Sequence, residues 1–328
     1  MNQTQNTNSF KVLLIGPGHI GSVFANIASH NGDTIAGVVA SSHESAKQHA
    51  QSLQKHPQHA KATPFPSIET ALQIGQFDGA IISSSESSHL QALQHLLKTN
   101  IPILCEKPLI APFDKGDKKN SDTSLTEWAA LSERPFVFNA SNHHLMNVIK
   151  WQDTQEDFYF RFHTNGPHQG TSILSDLLPH CISFLQVLWG LKCAVRFPDI
   201  LVEKHHVAGQ FHYGSQMVHF DFEEGPQVTK DLSFGFSNAF YTRVQEGFQD
   251  SYKVFIKGPY QDMNLKTGSG VQKYICQDPF AISYDRFRKT MEDADSSAFD
   301  LPKAIANFKV CQKILTECAI KRPDYASN

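Results

Sequence analysis

The chain has 328 residues, which predicts two domains at about 150 residues per domain. Its 29 Lys and Arg against 32 Asp and Glu leave a net charge of -3. This balance excludes a basic nucleic-acid-binding or anionic-membrane-binding protein as the first interpretation, because phosphate contacts need an excess of cations. No apolar run reaches the about 18 residues of a membrane span, and no secretory signal is visible. Six scattered Cys without a C-x-x-C pair indicate reduced thiols in a cytoplasmic protein.

The first 110 residues alternate short apolar runs with amphipathic stretches. The runs are predicted strands at 10–15, 34–40, 62–65, 77–84 and 101–107. The stretches between them are predicted helices at 20–30, 44–55, from 67 onward, and at 88–99. A further helix at 123–133 and a strand at 136–139 extend the series. Near-continuous apolar strands alternating with helices are typical of a parallel sheet covered on both faces, so we predict a doubly wound α/β domain of the Rossmann type.

The pattern changes after residue 140. A strand at 157–164 and an apolar helix at 173–189 are followed by further predicted strands at 194–202, 206–213, 216–222, 231–236 and 252–257. Two helices, at 280–292 and 300–320, close the chain. Consecutive strands predict a large open, mostly antiparallel sheet in an α+β domain. We therefore expect domains at 1–140 and 141–328. Because Pro179 fits a helix only in its first turn, regular helix should begin near Leu177, with Asp176 close to the N-cap.

A glycine-rich turn lies between the first predicted strand and helix, with the pattern G-x-G-x-x-G. Glycine at the first position permits the tight turn, the second lets backbone N–H groups approach a pyrophosphate, and the third lets helix and strand pack closely. The helix N-terminus adds partial positive charge. This context favours dinucleotide binding over a plain turn. The predicted contacts are Gly16, Pro17, Gly18, His19, Ile20 and Gly21.

The end of the second strand bears on which dinucleotide is bound. An NAD site places Asp or Glu about twenty residues past the glycines. Here the sequence is A-S-S-H at 40–43, and the first carboxylate, Glu44, is assigned to a capping box with Ser41. Hydroxyls at Ser41 and Ser42 tolerate a 2′-phosphate that a carboxylate would repel, so NADP(H) is favoured over NAD(H). The alternative is that Ser41 is only a helix cap, and no Arg is nearby.

Three further stretches come into register with this turn. Residues 83–89 (S-S-S-E-S-S-H) close the fourth strand, 103–109 (I-L-C-E-K-P-L) end the fifth, and 176–180 (D-L-L-P-H) open the long helix. Together with the glycine turn they resemble the glucose–fructose oxidoreductase, inositol dehydrogenase and MocA (Gfo/Idh/MocA) family over essentially the whole chain. E-K-P followed by D-x-x-x-H is the most specific part of this resemblance.

The resemblance implies an NAD(P)-dependent dehydrogenase or reductase. Lys107 would hold the reacting oxygen of the substrate, with burial lowering its pKa enough to share a proton. Glu106 would position Lys107 and the cofactor. His180, with a pKa near neutrality, would be the general acid or base, and Asp176, on the same helix face, would complete the catalytic set. The implied cofactor contacts downstream of the glycine turn are Ser84, His89, Glu106 and Lys107.

The sequence also departs from the family pattern. Many relatives carry an Arg-containing segment after the sixth strand, where this chain reads N-A-S-N-H-H at 139–144, and many have glycine at the position of Leu178. The substrate therefore stays open: a small carbonyl or hydroxyl compound (sugar, polyol or derivative) is favoured. An imine or biliverdin-type reductase and a non-catalytic cofactor-binding regulator are the alternatives. The pairs at 143–144 and 205–206 lack neighbouring carboxylate or Cys ligands, so no metal is expected.

We also expect self-association. One face of the second sheet should be left uncovered by helices and expose Phe234, Phe236 and Phe240 unless two copies pair. A homodimer or homotetramer through the C-terminal sheet is the expected assembly. Apart from its own copies, the expected partner is a small-molecule substrate, with no nucleic acid and no membrane.

Overall fold

The computed structural model contains two sheets, and the first is the predicted parallel one. Described residues are 9–111, 118–140, 144–146, 149, 156–192, 195–237, 239–244, 263–270, 272–293 and 298–321. The first sheet consists of β1 (Lys11–Ile15), β2 (Thr34–Val39), β3 (Thr63–Pro64), β4 (Gly79–Ile82), β5 (Ile103–Glu106) and β6 (Phe136–Asn139). Their order is β3-β2-β1-β4-β5-β6, and every neighbouring pair is parallel. This is the order of a Rossmann fold, so the predicted fold class is confirmed for this half.

Five helices connect these strands and cover the sheet. They are α1 (His19–His30), α2 (His43–Leu53), α3 (Ile68–Ile74), α4 (Glu86–Leu96) and α5 (Lys118–Ala129). β4, β5 and β6 are buried along their whole length, which is why they read as continuous apolar runs. Two elements differ markedly from the prediction: α5 begins at Lys118 and not at residue 123, and in β3 only two residues pair with β2. Pro64 lies in that pair, and a proline cannot donate a second ladder hydrogen bond.

The second sheet has eight strands. They are β7 (Phe158–Thr164), β8 (Val195–Val202), β9 (His206–Tyr213), β10 (Gln216–Glu224), β11 (Asp231–Phe236), β12 (Ala239–Val244), β13 (Met263–Thr267) and β14 (Lys273–Cys276). Their order is β14-β13-β12-β11-β7-β10-β9-β8. Only β7 and β10 are parallel among these pairs, so the predicted mostly antiparallel sheet is confirmed. The strands β12 to β14 were not predicted, and the predicted strand at 252–257 lies outside the described residues.

Helix α6 (Thr171–Trp189) covers one face of the second sheet together with the last helix of the chain. Strand β10 shows how the faces divide: Val218, Phe220 and Phe222 point into the helix-covered core, and the residues between them point to the other face. Phe234 and Phe236 also lie in this core, at 0% and 3% exposure. The expectation that they form an exposed apolar patch is therefore wrong, because strand alternation places them on the helix side. Phe240, the third residue of the expected patch, is half-buried on β12.

The start of α6 also differs from the prediction. The helix begins at Thr171 after Gly170, not near Leu177, so Asp176 lies in its second turn and Pro179 in its interior. A proline there removes one backbone hydrogen bond and costs about 3 kcal/mol. Burial of Ile173 and Leu174 in the turns before it offsets this at about 1.5–3 kcal/mol per side chain. Among the described residues, α6 is the one helix long and apolar enough to span a membrane. However, 72% of its most apolar 18-residue stretch is buried inside the fold, as in a core helix.

The last two helices return to the first sheet. Helix α7 (Pro279–Glu292) packs against α1, β5 and β6, with Tyr284 and Phe287 fully buried there. The Tyr284 hydroxyl donates to Asp33 Oδ2 at 2.9 Å, and the same buried carboxylate accepts from Arg288 Nε at 3.2 Å. Helix α8 (Leu301–Lys321) contacts both α6 and β6. The C-terminal segment therefore belongs to the core of both sheets.

Candidate active site

The glycine turn has the geometry that an anion requires. Gly16 adopts a φ of +85°, and a Cβ there would lie 2.2 Å from the Ser84 Cα, so no side chain fits. A Cβ on Gly21 would lie 2.3 Å from the Gly16 carbonyl oxygen, which holds α1 against the turn. At Gly18, by contrast, a Cβ would meet nothing within 4 Å. The open space therefore lies over Gly18 at the N-terminus of α1, where helix N–H groups attract a phosphate.

A groove of about 730 Å³ runs from this turn along the carboxyl edge of the first sheet. Of the predicted cofactor contacts, it is lined by Gly16, Pro17, Gly18, Ser41 and Ser84. His19, Ile20 and Gly21 form the first turn of α1 beside it. Its other polar lining residues include Ser45, His49, Glu69, Ser88, Gln91 and His95.

The two serines after β2 have different positions from those expected. Ser42, not Ser41, is the N-cap of α2, and its hydroxyl accepts from the Ser45 N–H at 3.1 Å. Ser41 lines the groove, and Glu44, in the first turn of α2, reaches toward Lys47 at 3.8 Å. The predicted capping box between Ser41 and Glu44 is therefore wrong, because the N-cap lies one residue later than predicted. This leaves the Ser41 hydroxyl at the groove.

His89 lies beneath the groove rather than in it. It is buried, with Nδ1 2.8 Å from the Pro108 carbonyl oxygen and Nε2 3.1 Å from the Ser84 carbonyl oxygen. Burial lowers the pKa of this imidazole. The ring therefore joins the turn after β4 to the turn after β5 and holds the backbone there. Its predicted direct contact with the cofactor is replaced by this positioning of the backbone.

Lys107 and Asp176, which are 69 positions apart, meet where β5 ends. Lys107 Nζ donates to both the side chain and the backbone oxygen of Asp176, the latter at 3.0 Å. Burial alone would lower the pKa of Lys107, but the Asp176 carboxylate, with Glu106 and Glu224, raises it above its usual value. The lysine is therefore an ammonium at neutral pH, contrary to the expectation of a lowered pKa. Burial opposes ionisation of Asp176 too, but Lys107 holds its pKa well below the usual range.

A buried polar chain supports Lys107 from behind. Asn139 on β6 donates its Nδ2 hydrogen to Glu106 Oε1, and the Ser283 hydroxyl on α7 donates to Asn139 Oδ1 at 2.7 Å. Glu106 is 7% exposed. Burial raises its pKa to about 7, against the opposing effects of Lys107 and Asn139. These two hydrogen bonds hold the Glu106 side chain in place, and Glu106 in turn positions the adjacent backbone that carries Lys107. The Lys107–Pro108 peptide bond that follows is cis.

His180 lies one helical turn after Asp176 on α6. Its Nδ1 is 3.1 Å from the Ala140 carbonyl oxygen, which can only accept, so Nδ1 carries a hydrogen and Nε2 carries a lone pair. Burial, with the neighbouring Lys107 charge, lowers the pKa of His180 to about 3. The expected value near neutrality is therefore wrong. At neutral pH this imidazole is uncharged and can accept a proton or hydrogen bond, but it has no imidazolium proton to give.

The fold adds four charged side chains that were not predicted for the site. His168 Nδ1 is 2.9 Å from Glu224 Oε2 and 3.8 Å from Asp176 Oδ2. The charge of Glu86 acts on the same group, and that of Arg243 acts on His180. Glu224 follows the inward positions 218, 220 and 222 of β10. A carboxylate at the next inward position of an apolar strand face was the signal in the sequence that could have found it.

The histidine pairs considered for metal binding do not form clusters in the part of the chain described. His205 Nδ1 lies 3.0 Å from the Glu224 backbone oxygen, while His206 Nε2 lies 2.8 Å from Asp221 Oδ1. His143 is outside the described residues, and His144 is buried beside Ser283 at 3.3 Å. The ligand atoms of His168, Asp176 and Glu224 do lie within 4.8 Å of one another. There the Lys107 ammonium already neutralises Asp176.

The turn, the groove and the donor set fit a nicotinamide dinucleotide. The space over Gly18 admits a pyrophosphate, and the groove extends from it toward Ser41 in one direction and Ser84 in the other. The matching family is described as an oxidoreductase family with an NAD-binding Rossmann fold, and the match covers residues 10–119. Over these residues the chain matches the Gfo/Idh/MocA family that its motifs resemble. The protein is thus an NAD(P)-binding oxidoreductase, as the sequence predicted.

Solved structures share the fold along almost the whole chain. A putative NADPH-dependent oxidoreductase from Desulfitobacterium hafniense is 13% identical with a TM-score of 0.69, covering 96% of this chain and 97% of that one. A Gfo/Idh/MocA family oxidoreductase from Vibrio cholerae is 12% identical with a TM-score of 0.67, covering 96% and 100%. KijD10, a 3-ketoreductase from Actinomadura kijaniata solved with TDP-benzene and NADP, is 12% identical with a TM-score of 0.64, covering 94% and 96%. No curated protein sequence matches the chain.

Proposed function

We propose that the protein is an NADP(H)-dependent reductase or dehydrogenase that moves a hydride between the nicotinamide and one carbon of a small carbonyl or hydroxyl compound. The observation that carries this proposal is the contact between Lys107 and Asp176. It brings the carboxyl edge of the cofactor-binding sheet onto the helix that carries His180. Ligands bind at this edge in open α/β sheets. A bound nicotinamide cofactor supplies the hydride, and the residues of the chain bind, orient and handle the proton.

The protonation states assign a role to each group. In reduction, the Lys107 ammonium stabilises the developing alkoxide and gives it a proton. In oxidation, the Lys107 amine takes this proton back, because both directions pass through the same transition state. Neutral His180 accepts a hydrogen bond from the substrate hydroxyl through Nε2 and orients it in both directions, because Nδ1 is held by Ala140. Asp176 keeps the ammonium charged and oriented. This division of roles follows from the low pKa of His180, at about 3.

The choice of NADP(H) rests on the groove beyond the pyrophosphate position. Ser41, Ser45 and His49 line it next to the end of β2, and Glu44 faces Lys47 instead. Hydroxyl and imidazole groups can donate hydrogen bonds to a 2′-phosphate. Glu69 also lines the groove, and its carboxylate is the group that could bind the ribose diol of NAD(H) instead. Fluorescence titration should give a lower Kd for NADPH than for NADH. Ser41→Asp should weaken NADPH binding at least about 10-fold while weakening NADH binding less. If the wild-type protein binds NADH as tightly as NADPH, the preference for NADP(H) is refuted.

Turnover is the decisive test of the activity. The purified chain should oxidise NADPH with at least one member of a panel of ketoses, aldoses and keto-polyols, or reduce NADP⁺ with the matching alcohols. Lys107→Ala and His180→Ala should each lower kcat at least about 100-fold. Lys98→Met, an exposed lysine on the turn after α4, is the control and should keep wild-type turnover. Near-normal rates in both site variants would mean that the site is elsewhere.

Two other functions remain as outcomes of the same assay. Oxidation of NADPH with cyclic imines but not with carbonyls would favour a C=N reductase, for which the absence of Arg in the segment at 139–144 is the reason to test it. Tight NADPH binding without turnover on any substrate would favour a regulatory protein. The intact set of Lys107, Asp176 and His180 supports an enzyme, because a regulator does not need groups placed for proton transfer.

We further propose a cytoplasmic protein that forms a homodimer or homotetramer through the face of the second sheet opposite α6. Because Phe234 and Phe236 lie in the core, they cannot form this interface, and the residues available on the face are polar or aromatic. Arg161 pairs with Asp221 at 2.9 Å, and the Tyr159 ring stacks on that of His219. This face can pair with a second copy through aromatic and charged contacts. Light scattering should give a multiple of the 36.7 kDa chain mass; a monomer at micromolar concentration would refute the assembly.

A further inference from the structure

Four side chains lie in series between the surface and the reacting end of Lys107, and the ligand atoms of the first three lie within 4.8 Å of one another. His168, in the loop between β7 and α6, is 39% exposed, and its Nδ1 lies 2.9 Å from Glu224 Oε2. The Glu224 side chain is 0% exposed, and the next carboxylate, Asp176, contacts Lys107. The four groups come from the end of β5, α6, the loop before it and the end of β10. They are distant in sequence and are brought together only by the fold.

Glu224 has no evident structural task in this position. Both of its oxygens are buried and lack a well-aligned hydrogen bond to other described residues, as does the His168 Nδ1 that faces it. Leaving buried polar groups in this state costs stability, about 1–3 kcal/mol for each neutral group and more for a charged one. A cost of this kind is commonly retained at functional sites. The carboxylate is therefore placed for use by the site and not for packing.

Lys107 needs a source of protons after each reduction. Once its ammonium has protonated the product, a neutral amine remains whose side chain is 14% exposed and is covered by Asp176. His180 cannot supply the proton at neutral pH, since burial lowers its pKa to about 3. The proton must come from another group that is charged at neutral pH and connected to solvent. His168 is the partly exposed imidazole next to Asp176.

We propose that His168, Glu224 and Asp176 form a relay that returns a proton from solvent to Lys107 after each reductive turnover, a proposal that rests on the function proposed above. In the first step, the substrate carbon receives the hydride from NADPH, and its oxygen takes a proton from Lys107, which becomes an amine. In the second, the His168 imidazolium gives its Nδ1 proton to Glu224. A proton then passes through the Asp176 carboxylate to the Lys107 amine. The neutral His168 finally takes a proton from water, which restores every group.

The charges around His168 agree with this role. The Glu224 contact raises the pKa of His168, against the opposing effect of burial. Burial and the Asp176 carboxylate raise the pKa of Glu224, although His168 opposes them. Glu86, at the start of α4, faces the same groups, and Lys107 is the opposing cation. His205, which directly precedes β9, meets the backbone oxygen of Glu224 through its Nδ1, at 3.0 Å.

The kinetic test separates the first turnover from the following ones. With the fastest carbonyl substrate of the panel, stopped-flow absorbance at 340 nm measures the first NADPH oxidised per site, and steady state measures kcat. In His168→Asn the first turnover should keep its rate, because Lys107 is already protonated, while kcat at pH 7 should fall at least about 10-fold. Added imidazole should restore kcat. Equal slowing of both phases, or no restoration by imidazole, overturns the relay.

The control is His30→Asn. His30 is an exposed histidine at the end of α1, outside the site and the second sheet. This variant also replaces a histidine with asparagine, so it should leave kcat and the first turnover unchanged. A kcat loss in His30→Asn equal to that in His168→Asn would overturn the proposal, because it would show that the loss does not depend on the position of His168.

A second measurement does not depend on turnover. In the free protein, NMR titration of the His168 ring should give a pKa that falls in Glu224→Gln, toward the ordinary value of about 6.5, because the contact that raises it is removed. An unchanged value overturns the relay even if the enzyme is active. A shift without any turnover on the panel would instead count against the proposed function. One zinc ion per chain in the purified protein would also overturn the relay, since the metal would occupy the same three side chains.

Discussion

Replacing Glu106 with Gln tests the electrostatics of the site without a substrate. Burial raises the pKa of Glu106 from an ordinary 4.5 to about 7. Its contribution to stability is therefore fully present below pH 4.5 and is lost as the pH rises through about 7. At about 1.4 kcal/mol per pH unit, this difference amounts to about 3 kcal/mol. Glutamine cannot ionise but keeps the oxygen that accepts from Asn139, so E106Q avoids this loss.

The free energy of unfolding of both proteins should be measured by urea denaturation in half-unit steps from pH 4.5 to 8.5, without cofactor. The stability of E106Q relative to wild type should rise across this range and level off near 3 kcal/mol above pH 7.5. Glu133→Gln, exposed in the turn before β6, is the control and should give a small difference at every pH. A difference between E106Q and wild type that does not change with pH would refute the raised pKa and the burial argument behind it.

Two further predictions concern the glycine turn and the link to α7. Gly18→Ala should change the Tm of the free protein by less than about 2 °C, since its Cβ meets nothing, but should raise the NADPH Kd at least about 10-fold. Gly16→Ala should lower the Tm by at least about 4 °C, because its backbone is left-handed and its Cβ would clash with the Ser84 backbone. Wild-type NADPH affinity in Gly18→Ala would show that the phosphate lies elsewhere. Asp33→Asn should cost about 3–5 kcal/mol in urea denaturation, because a buried carboxylate with an Arg288 partner is removed. Asp78→Asn, which alters an exposed hydrogen bond to the Lys11 amide, should cost less than about 1.5 kcal/mol, and equal losses would contradict this argument.

The parallel sheet could be predicted closely because its information is local. β4, β5 and β6 are buried on both faces, β1 is buried except at Lys11, and each of these strands adjoins a turn or helix with its own sequence signal. The strands β12 to β14 lack such signals. β12 carries Thr242 and Arg243 among its apolar residues, and β13 and β14 carry Lys266 and Lys273. Pairing with neighbours in the sheet, not local sequence, makes them strands.

The candidate site divides in the same way. Lys107, Asp176 and His180 could be named from motifs, and the fold brings Lys107 and Asp176 into contact. The protonation states of these residues could not be predicted from the motifs, because they depend on burial and on charges from distant elements. The low pKa of His180 requires knowing that α6 buries it. His168 and Glu224 belong to no motif and meet only because β7 and β10 are neighbours in the sheet.

The return of α7 and α8 to the first sheet ties the nucleotide-binding half to the end of the chain. Tyr284 and Phe287 fill the core beside Val12 and Leu14, and residues 298–300 pair with the backbone of Phe136. A fragment ending at residue 140 would leave this apolar face in water. During synthesis on the ribosome, the N-terminal half therefore cannot complete its core until residues 279–300 have emerged. Its final folding step must wait for a segment that is translated more than a hundred residues later.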